Sequence, residues 1–293
     1  MDSLTDAHAR LRGLSRLLVS FLLFCCAAVG PTFLNRRASG PKLNNFNCRS
    51  ETHPNPVIML HGLTASYEIE LAPLGAHLQA HDFCTFAPFY GGFPFLPLIG
   101  GLKSADSSSK EIAKYITMVK EKTGADKVDI IGHSEGAFMT LYVPKFFPEI
   151  SSIAQRLVAI APPTRGSTVA GWYTLLGPGF TSLAKLIRPF CAFCSDDEPN
   201  SKPVLALNKG PIVQQGNTLT VIASRNDESI TPTTTAFVHE DGVTNIYVQD
   251  YCPADFTGHI GEGYDPNVAE LVRNSLEDQI GRHFKCEYIQ LPI

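Results

Sequence analysis

The sequence lacks several features that mark other classes of protein. It contains no Asn-x-Ser/Thr sequon, so N-glycosylation is not expected. It has no excess of basic residues, since the net charge is −4, and this argues against a nucleic-acid partner. The composition is otherwise ordinary, with 44% hydrophobic and 18% charged residues among 293. A chain of this length can bury the core of one large α/β domain.

Residues 1–28 have the pattern of a secretory signal peptide. Three arginines precede an apolar run, Leu17–Val29, that ends in small residues. A basic start, a short apolar run and a small-residue exit are typical of a segment removed on secretion, and cleavage after Ala28 fits best. The alternative is an uncleaved membrane anchor, because Leu17–Asn35 carries no charge, but the strongly apolar part is short for a span. We therefore expect a secreted protein with its mature domain at 29–293.

Cleavage would leave an even number of cysteines in the mature chain. The six are Cys48, Cys84, Cys191, Cys194, Cys252 and Cys286. An even count behind a signal peptide indicates disulfides formed in an oxidising compartment. The pair favoured by position is Cys48 with Cys84, and the other pairings stay open. Cys191 and Cys194 could also form half a zinc site or a redox motif, but the sequence has no second C-x-x-C.

The motif with the clearest chemistry is G-H-S-E-G at Gly132–Gly136. An apolar run, Val128–Ile131, precedes it and a helical pattern follows. G-x-S-x-G between a strand and a helix is the nucleophile elbow, in which a strained turn raises the serine hydroxyl above the sheet. We predict Ser134 as a nucleophile. A simple Gly-Ser turn between two packed elements is the alternative.

A second signal follows the predicted strand Pro56–Leu60, where the chain continues as His61-Gly62-Leu63. In ester hydrolases an amide beyond such a glycine, together with the amide after the nucleophile, holds the developing oxyanion. Those donors would be Leu63 and Glu135. The alternative for His61 is a buried histidine that hydrogen-bonds to backbone.

Strand-like and helix-like segments alternate along the mature chain. Besides the elbow strand, the predicted strands are Pro56–Leu60, Phe83–Pro88, Arg156–Ile160, Thr218–Ser224 and Thr244–Gln249. The predicted helices are Ile69–Gln79, Ser104–Thr123, the elbow helix through Phe147, and Pro266–Leu276. This alternation predicts a mostly parallel central sheet with helices on both faces, as in the α/β-hydrolase fold.

Two stretches interrupt the alternation. Tyr90–Leu102 is rich in Gly, Pro and Phe and is expected to be a loop near the mouth of the site. Residues 164–217 form an insert between strands, and its apolar part is Trp172–Phe190. This part could act as a lid or line an acyl-binding groove, or it could pack on the body of the domain. Both interpretations stay open.

A serine nucleophile needs a base and an acid that orients the base. In α/β hydrolases the chain order is Ser, then Asp or Glu, then His. Asp227 follows an apolar strand, and His259 lies between the last predicted strand and helix, so position favours these two. The competitors are His239, His283, Asp241, Asp250 and Asp255.

Five blocks of sequence suggest a family. They are P-V-I-M-L-H-G-L at Pro56–Leu63, T-G-A-D-K-V-D-I-I-G-H-S-E-G at Thr123–Gly136, A-P-P-T-R-G at Ala161–Gly166, S-R-N-D-E-S-I-T-P at Ser224–Pro232 and H-I-G-E-G-Y-D-P-N-V at His259–Val268. With these blocks in this order, the chain resembles the secreted class 2 lipases of the α/β-hydrolase superfamily over roughly Asn45–Leu276. The family pattern places its catalytic triad on Ser134, Asp227 and His259.

The chain departs from that family at two places. Many members have Gln and Gly where this chain has Glu135 and Ala137. A His or Asn commonly precedes the glycine of the third block, where this chain has Thr164 and Arg165. These positions lie at the rim of the expected site, so the departures leave the substrate range open.

The resemblance implies a secreted serine ester hydrolase that forms an acyl-enzyme and needs no metal or cofactor. Its expected substrate is a lipid ester, as for a triacylglycerol lipase at a lipid–water interface. A short-chain esterase, an acyltransferase of the same fold, and a catalytically silent protein that binds a lipid or a partner remain alternatives. The sequence gives no indication of oligomeric state.

Overall fold

A computed structural model of the chain describes residues 42–94, 96, 98–167 and 190–287. Its strands are β1 (Val57–Leu60), β2 (Thr85–Phe86), β3 (Val128–His133), β4 (Ala154–Ile160), β5 (Thr218–Ala223) and β6 (Val243–Tyr247). Its α-helices are α1 (Ala72–Ala80), α2 (Ala105–Thr123), α3 (Glu135–Phe146), α4 (Pro148–Ile153), α5 (Phe193–Asp196), α6 (Lys202–Leu207), α7 (Val248–Tyr251), α8 (His259–Glu262) and α9 (Pro266–Leu276). A π-helical turn, Tyr67–Leu71, leads into α1, and a 3₁₀ turn, Thr233–Ala236, follows β5. In the ranges described, no helix is both long and apolar enough to span a bilayer.

The described strands form one sheet in the order β2-β1-β3-β4-β5-β6, and every neighbouring pair is parallel. Parallel strands all end at the same edge of a sheet, where functional residues of α/β proteins gather. The loops that leave this edge begin with His61 after β1 and Ser134 after β3, and the loop after β5 contains Asp227. The prediction of a mostly parallel sheet is confirmed.

Both faces of the sheet are apolar because strand side chains alternate in direction. Ile58 and Leu60 pack into a core beneath α2 and α3, whereas Val57 and Met59 pack into a second core beneath α1 and α9. Each of these side chains is completely buried. Burial of one such side chain stabilises the fold by about 1.5–3 kcal/mol. The helices therefore cover both faces, as the alternating pattern predicts.

Helix α2 begins and ends where the sequence indicates. The Ser104 hydroxyl accepts a hydrogen bond from the Ser107 amide, which satisfies one of the free donors of the first turn. Asp106, in the first turn of the helix, pairs with Lys110 at 2.6 Å. Gly124 ends the helix with a φ of 70°, a conformation that glycine adopts without steric cost.

Two predicted strands are longer than the observed ones. The strand Phe83–Pro88 is reduced to β2, because the Ala87 amide bonds to the side chain of Asn44 rather than to a strand. The strand Thr244–Gln249 is wrong at its end, where α7 begins. There the Asp250 side chain accepts the Tyr247 amide at 3.2 Å and caps the helix.

The predicted helix Ile69–Gln79 also differs from the observed structure. The chain turns from Tyr67 in a π-helical turn before α1 begins. Pro73 has no amide hydrogen and lies in the first turn of α1, where that loss costs least. The predicted helix therefore spans two different helical geometries.

Part of the insert 164–217 packs on the body of the domain. Phe193, in α5, makes an edge-to-face contact with Phe138 of α3 at a ring distance of 5.8 Å, and Leu207 of α6 is fully buried. Residues 168–189, which hold Trp172 and most of the predicted lid, lie outside the described residues. The choice between a lid, an acyl-binding groove and a packed segment for Trp172–Phe190 therefore stays open.

Disulfides join the six cysteines of the predicted mature chain. Cys48 bonds to Cys84, the pair that sequence position favours. Cys191 bonds to Cys194, so these two residues join α5 to the segment that precedes it rather than serving as half a metal site. Cys252 bonds to Cys286, which ties the segment after α9 to the end of α7. In the chain-entropy account, a disulfide across a loop as long as those closed by Cys48–Cys84 and Cys252–Cys286 stabilises the fold by about 2–4 kcal/mol.

Candidate active site

Ser134 lies at the sharp turn between β3 and α3. Its φ of 54° and ψ of −118° fall outside the common regions for a residue with a side chain. A Cβ on Gly132 would lie 2.2 Å from the carbonyl oxygen of Gly136, and a Cβ on Gly136 would lie 2.0 Å from the carbonyl oxygen of Leu60. The turn is therefore so tight that only glycine fits on either side of the strained serine.

His259 connects Ser134 to Asp227. Its Nε2 lies 2.9 Å from the Ser134 hydroxyl oxygen, and its Nδ1 lies 2.9 Å from Oδ2 of Asp227. All three residues are buried, with exposed fractions of 7% or less. A base that contacts both a hydroxyl and an orienting carboxylate is the geometry that activates a serine nucleophile.

The second oxygen of Asp227 is fixed by backbone. Oδ1 accepts hydrogen bonds from the amides of Ser229 at 2.7 Å and Ile230 at 2.9 Å. Burial alone would raise the pKa of Asp227. The hydrogen bond and charge of His259, with these two amides, outweigh burial and lower the pKa below its ordinary value. Asp227 is therefore ionised and can stabilise a proton on His259.

The backbone of His259 is held on both sides. Its amide donates to Oε2 of Glu228 at 3.0 Å, and its carbonyl accepts from Nε2 of His133 at 2.9 Å. Nδ1 of His133 lies 2.8 Å from Oε1 of Glu70. Oε2 of Glu70 accepts the Gly62 amide at 2.5 Å. A buried chain of contacts thus links the loop after β1 to His259.

Glu70 and His133 form an ion pair. The carbonyl of His259 can only accept, so Nε2 of His133 carries a proton, and Nδ1 faces a carboxylate that already accepts an amide. Burial would raise the pKa of Glu70, but the charge and hydrogen bond of His133 lower it. Burial would lower the pKa of His133, but Glu70 raises it. Sequence reasoning missed both roles, although His133 lies inside the elbow motif.

The loop after β1 passes directly over the nucleophile. A Cβ on Gly62 would lie 3.3 Å from Cβ of Ser134. Leu63 follows in this loop, and Glu135 is the first residue of α3, where a helix amide has no partner within the helix. Within the described ranges, neither amide donates a hydrogen bond. The two candidate oxyanion donors are thus next to Ser134 and its covering loop.

His61 has a packing role. Its ring is buried, stacks on Tyr90 at a ring distance of 4.2 Å, and places Nδ1 2.9 Å from the Gly62 carbonyl oxygen. Burial lowers the pKa of His61, so the ring is neutral. This arrangement matches the alternative in which His61 is a buried histidine satisfied by backbone.

The carboxyl group of Glu135 is buried against the covering loop. A Cβ on Gly101 would lie 2.1 Å from its Oε2 and 3.0 Å from Cα of Leu63. Neither carboxyl oxygen has a hydrogen-bond partner among the residues described. Burial, followed by the charges of Asp197 and Glu70, raises the pKa of Glu135 well above its ordinary value. The group is therefore uncharged at neutral pH.

A second buried acid lies close to Asp227 and His259. Glu262 lies in α8 one turn after His259 and is 1% exposed. Neither of its carboxyl oxygens has a hydrogen-bond partner among the described residues. Burial and then the charge of Asp227 raise the pKa of Glu262 well above its ordinary value. Sequence reasoning did not identify it, since no local pattern distinguishes it from other acids.

The cluster of His133, His259 and Glu262 has ligand atoms within 4.8 Å of one another. The histidine nitrogens already contact Glu70, the His259 carbonyl, Asp227 and Ser134. A metal ion would have to break these contacts. The arrangement thus favours proton transfer over metal binding at this place.

The competing residues from the sequence lie elsewhere. Asp250 pairs with Arg225 at 2.5 Å on the surface. Asp255 accepts hydrogen bonds from Asn267 and the Thr257 amide, so it shapes a loop. The other competitors, all exposed, are His239, His283 and Asp241.

Comparison with known proteins agrees with the sheet and the elbow. Residues 55–168 match the profile of the α/β hydrolase fold. The chain has the α/β-hydrolase fold. Its fold is also similar to that of Aspergillus fumigatus lipase B, with a TM-score of 0.60, 18% identity, and coverage of 79% of this chain and 53% of that one. A fungal esterase from Rhizomucor miehei gives a TM-score of 0.54 at 17% identity, covering 80% and 76%.

Curated relatives of this chain are similar over part of their length. A triacylglycerol lipase of Pseudomonas fragi is 28% identical over 144 residues, which cover 48% of this chain and 46% of that protein. A triacylglycerol lipase of Burkholderia plantarii is 28% identical over 165 residues, covering 52% and 43%. The chain thus spans about half the length of the curated relatives it matches.

Large apolar side chains are exposed beside the candidate site. Ile260 follows His259 directly and is 53% exposed, and Phe256 in the preceding loop is 84% exposed. The loop predicted for the mouth contributes Leu98, which is 49% exposed, while Phe93, Leu96 and Ile99 are partly buried. Phe95 lies outside the described residues. Exposed apolar side chains grouped at a site mark a surface that contacts apolar ligands.

Proposed function

We propose that this chain is a serine carboxylic-ester hydrolase that acts on lipid esters. The observation that supports this most directly is the position of His259, with Nε2 on the Ser134 hydroxyl and Nδ1 on Asp227, both at 2.9 Å. A protein that only binds a lipid or a partner would have no need for a strained serine that contacts a base, with an ionised acid on the other side of that base. The catalytically silent alternative is therefore disfavoured.

In the proposed reaction Ser134 attacks the ester carbonyl while Nε2 of His259 accepts its proton. Asp227 stabilises the resulting imidazolium. The amides of Leu63 and Glu135 donate hydrogen bonds to the tetrahedral oxyanion. His259 then returns the proton to the departing alkoxide, which leaves an acyl-enzyme on Ser134. Water activated by the same histidine releases the acid and restores the hydroxyl.

A lipase is favoured over a short-chain esterase by two observations. The relatives from Pseudomonas fragi and Burkholderia plantarii are triacylglycerol lipases. Exposed apolar residues such as Phe256 and Ile260 flank the triad histidine. A profile of turnover from butyrate to oleate esters tests this assignment. Activity confined to acetate and butyrate would make the chain an esterase.

Secretion is also part of the proposal. The signal-peptide pattern of residues 1–28 and the disulfides of the mature domain support it, since such bonds form in oxidising compartments. Expression in a secreting host and N-terminal sequencing of the medium fraction test it. The expected mature chain begins at Val29, whereas retention of the full chain on membranes would favour the anchor alternative.

The triad is tested by turnover of a p-nitrophenyl ester. Ser134→Ala and His259→Ala should each lower kcat by about 10⁴-fold. The exposed Ser195 offers a matched control, and Ser195→Ala should leave kcat unchanged. Near-full activity of Ser134→Ala would overturn the assignment of the nucleophile.

A further inference from the structure

Three side chains meet on the face of the domain opposite α2 and α3. His77 lies in the last turn of α1, His81 is the residue that ends this helix, and Glu270 lies in α9. One ligand atom of each lies within 4.8 Å of the others, and all three residues are partly exposed. His77 and His81 are four residues apart, so they lie on the same side of the helix.

The distance between His77 and Glu270 is informative. Nε2 of His77 lies 3.7 Å from Oε1 of Glu270, which is too long for a hydrogen bond. Ligand bonds of about 2.1 Å place two ligands of a tetrahedral zinc ion about 3.4 Å apart. The buried Nε2 has no hydrogen-bond partner among the described residues. The gap thus fits two ligands of one ion better than it fits a direct contact.

Both histidines have a ring nitrogen available. Nδ1 of His81 lies 2.8 Å from the His77 carbonyl, to which it donates, so its Nε2 carries the free lone pair. A hydrogen bond from the other ring nitrogen is the usual way in which a metal-binding histidine is oriented. Burial, followed by the charges of His81 and Arg273, lowers the pKa of His77 to about 4. Each histidine thus offers one ring nitrogen to a cation.

Charged side chains on α9 and just beyond its end lie near the cluster. On α9, Arg273 pairs with Oε2 of Glu270 at 2.7 Å, so it occupies the oxygen that does not face His77. The charge of Glu277, beyond the end of α9, raises the pKa of His77, whereas the charge of Arg273 lowers it. The cluster also lies at the C-terminal end of α1, where the helix dipole favours a cation.

We propose that His77, His81 and Glu270 bind one Zn²⁺ ion, with water completing a tetrahedral site. Two imidazoles and one carboxylate are ligands that suit zinc, whereas Ca²⁺ and Mg²⁺ prefer sites made of oxygens. The ion is separate from the triad and takes no part in ester chemistry. It joins α1, which follows the loop over Ser134, to α9, which follows α8 and His259. Its effect is to stabilise the two segments that frame the active site.

The test is titration of the metal-free full domain with ZnCl₂ by calorimetry, with thermal unfolding as a second measurement. One ion per chain is expected. At a hundredfold excess over the dissociation constant, Tm should rise by about 5 °C. Replacing Zn²⁺ by Co²⁺ should give the intense visible absorption of a tetrahedral site.

Two variants locate the ion. His81→Gln, at a partly exposed position, should weaken Zn²⁺ binding at least tenfold and remove the rise in Tm, with kcat unchanged. Glu270→Gln removes a different ligand and should also weaken Zn²⁺ binding. His239→Gln is the matched control, since His239 is exposed and away from the cluster. Absence of one-site binding, or equal affinity in His81→Gln and His239→Gln, would overturn the proposal.

Discussion

Oε1 of Glu70 lies 2.8 Å from Nδ1 of His133, in a buried ion pair that connects the two halves of the candidate site. On one side Glu70 holds the Gly62 amide, and on the other His133 holds the His259 carbonyl. The pair therefore fixes the loop over the nucleophile relative to the base. It acts through its neighbours and not on the substrate.

Glu70→Gln should destabilise the fold and slow the reaction. Removing one partner of a buried ion pair costs about 3–5 kcal/mol, which corresponds to a fall in Tm of roughly 10 °C. A small displacement of His259 should lower kcat by about tenfold or more. Glu121→Gln, at an exposed position of α2, is the control. In the double variant Glu70→Gln/His133→Gln the losses should be less than additive, and simple additivity would contradict the pairing.

The pH dependence of this pair has a defined sign. The lowered pKa of Glu70 means that its contribution is present above the unfolded value of about 4.3 and is lost as the pH falls through the folded value. The raised pKa of His133 means that its contribution is present below about 6.5 and is lost as the pH rises through the folded value. The difference in Tm between wild type and Glu70→Gln should therefore be largest between about pH 4.3 and about pH 6.5, where both contributions are fully present.

Glu135→Gln should stabilise the protein and extend its activity to higher pH. The raised pKa of Glu135 means that the folded state holds a proton which the unfolded state releases above about pH 4.3, so stability falls as the pH rises until the folded group ionises. Gln has no such penalty, and Tm should be higher by about 2 °C or more at neutral pH but unchanged near pH 3.5.

The kinetic consequence follows from the charges around this group. The charges of Asp197, Glu70 and Asp196 all raise the pKa of Glu135. Ionisation of Glu135 at alkaline pH would add a negative charge beside the proposed oxyanion site, so wild-type kcat should fall there while Glu135→Gln remains active. Glu149→Gln, at an exposed position, is the control. Superimposable alkaline limbs for wild type and Glu135→Gln would refute this role.

The exposed apolar residues beside the triad should matter for long acyl chains. Ile260→Ser and Phe256→Ser should lower kcat/KM for oleate esters about tenfold and leave butyrate within about twofold, since a short chain does not reach the rim. Tm should not change, because both side chains are exposed. Ile280→Ser is the matched control: Ile280 is exposed and lies close to Asp278, which pairs with Arg156 at the opposite edge of the sheet. Parallel losses on both substrates would contradict the assignment.

The three disulfides predict a mature chain without a free thiol. Peptide mapping under non-reducing conditions should recover Cys48 linked to Cys84 and Cys252 linked to Cys286. The double variant Cys48→Ser/Cys84→Ser should lose about 2–4 kcal/mol of stability. Alkylation of Cys48 in the native, unreduced protein would contradict the pairing.

The positions of Ser134, Asp227 and His259 could be predicted because each has a local pattern. Each follows an apolar strand or lies in a loop at the same edge of a parallel sheet. In this fold the nucleophile, the acid and the histidine also follow one another in a fixed order along the chain. Their contact in space was an inference from topology, and the structure brings them within hydrogen-bonding distance.

The Glu70–His133 pair could not be found in the same way. The two residues are 63 positions apart, and Glu70 lies in a π-helical turn that no periodicity indicates. The strand predicted at Phe83–Pro88 is longer than the observed β2. The hydrogen bond that ends β2 is made to the side chain of Asn44, 43 positions away. Contacts of this kind depend on tertiary packing, whereas helix α2 carries its own cap and stop signals.

The central claim is that Ser134 is an activated nucleophile, and labelling with a fluorophosphonate followed by intact-mass analysis tests it most directly. The folded wild type should gain one adduct, located on Ser134 by peptide mapping. Ser134→Ala should gain none, and His259→Ala should react far more slowly because its serine lacks a base. An absence of labelling in the folded wild type, or an adduct that persists in Ser134→Ala, would contradict the account.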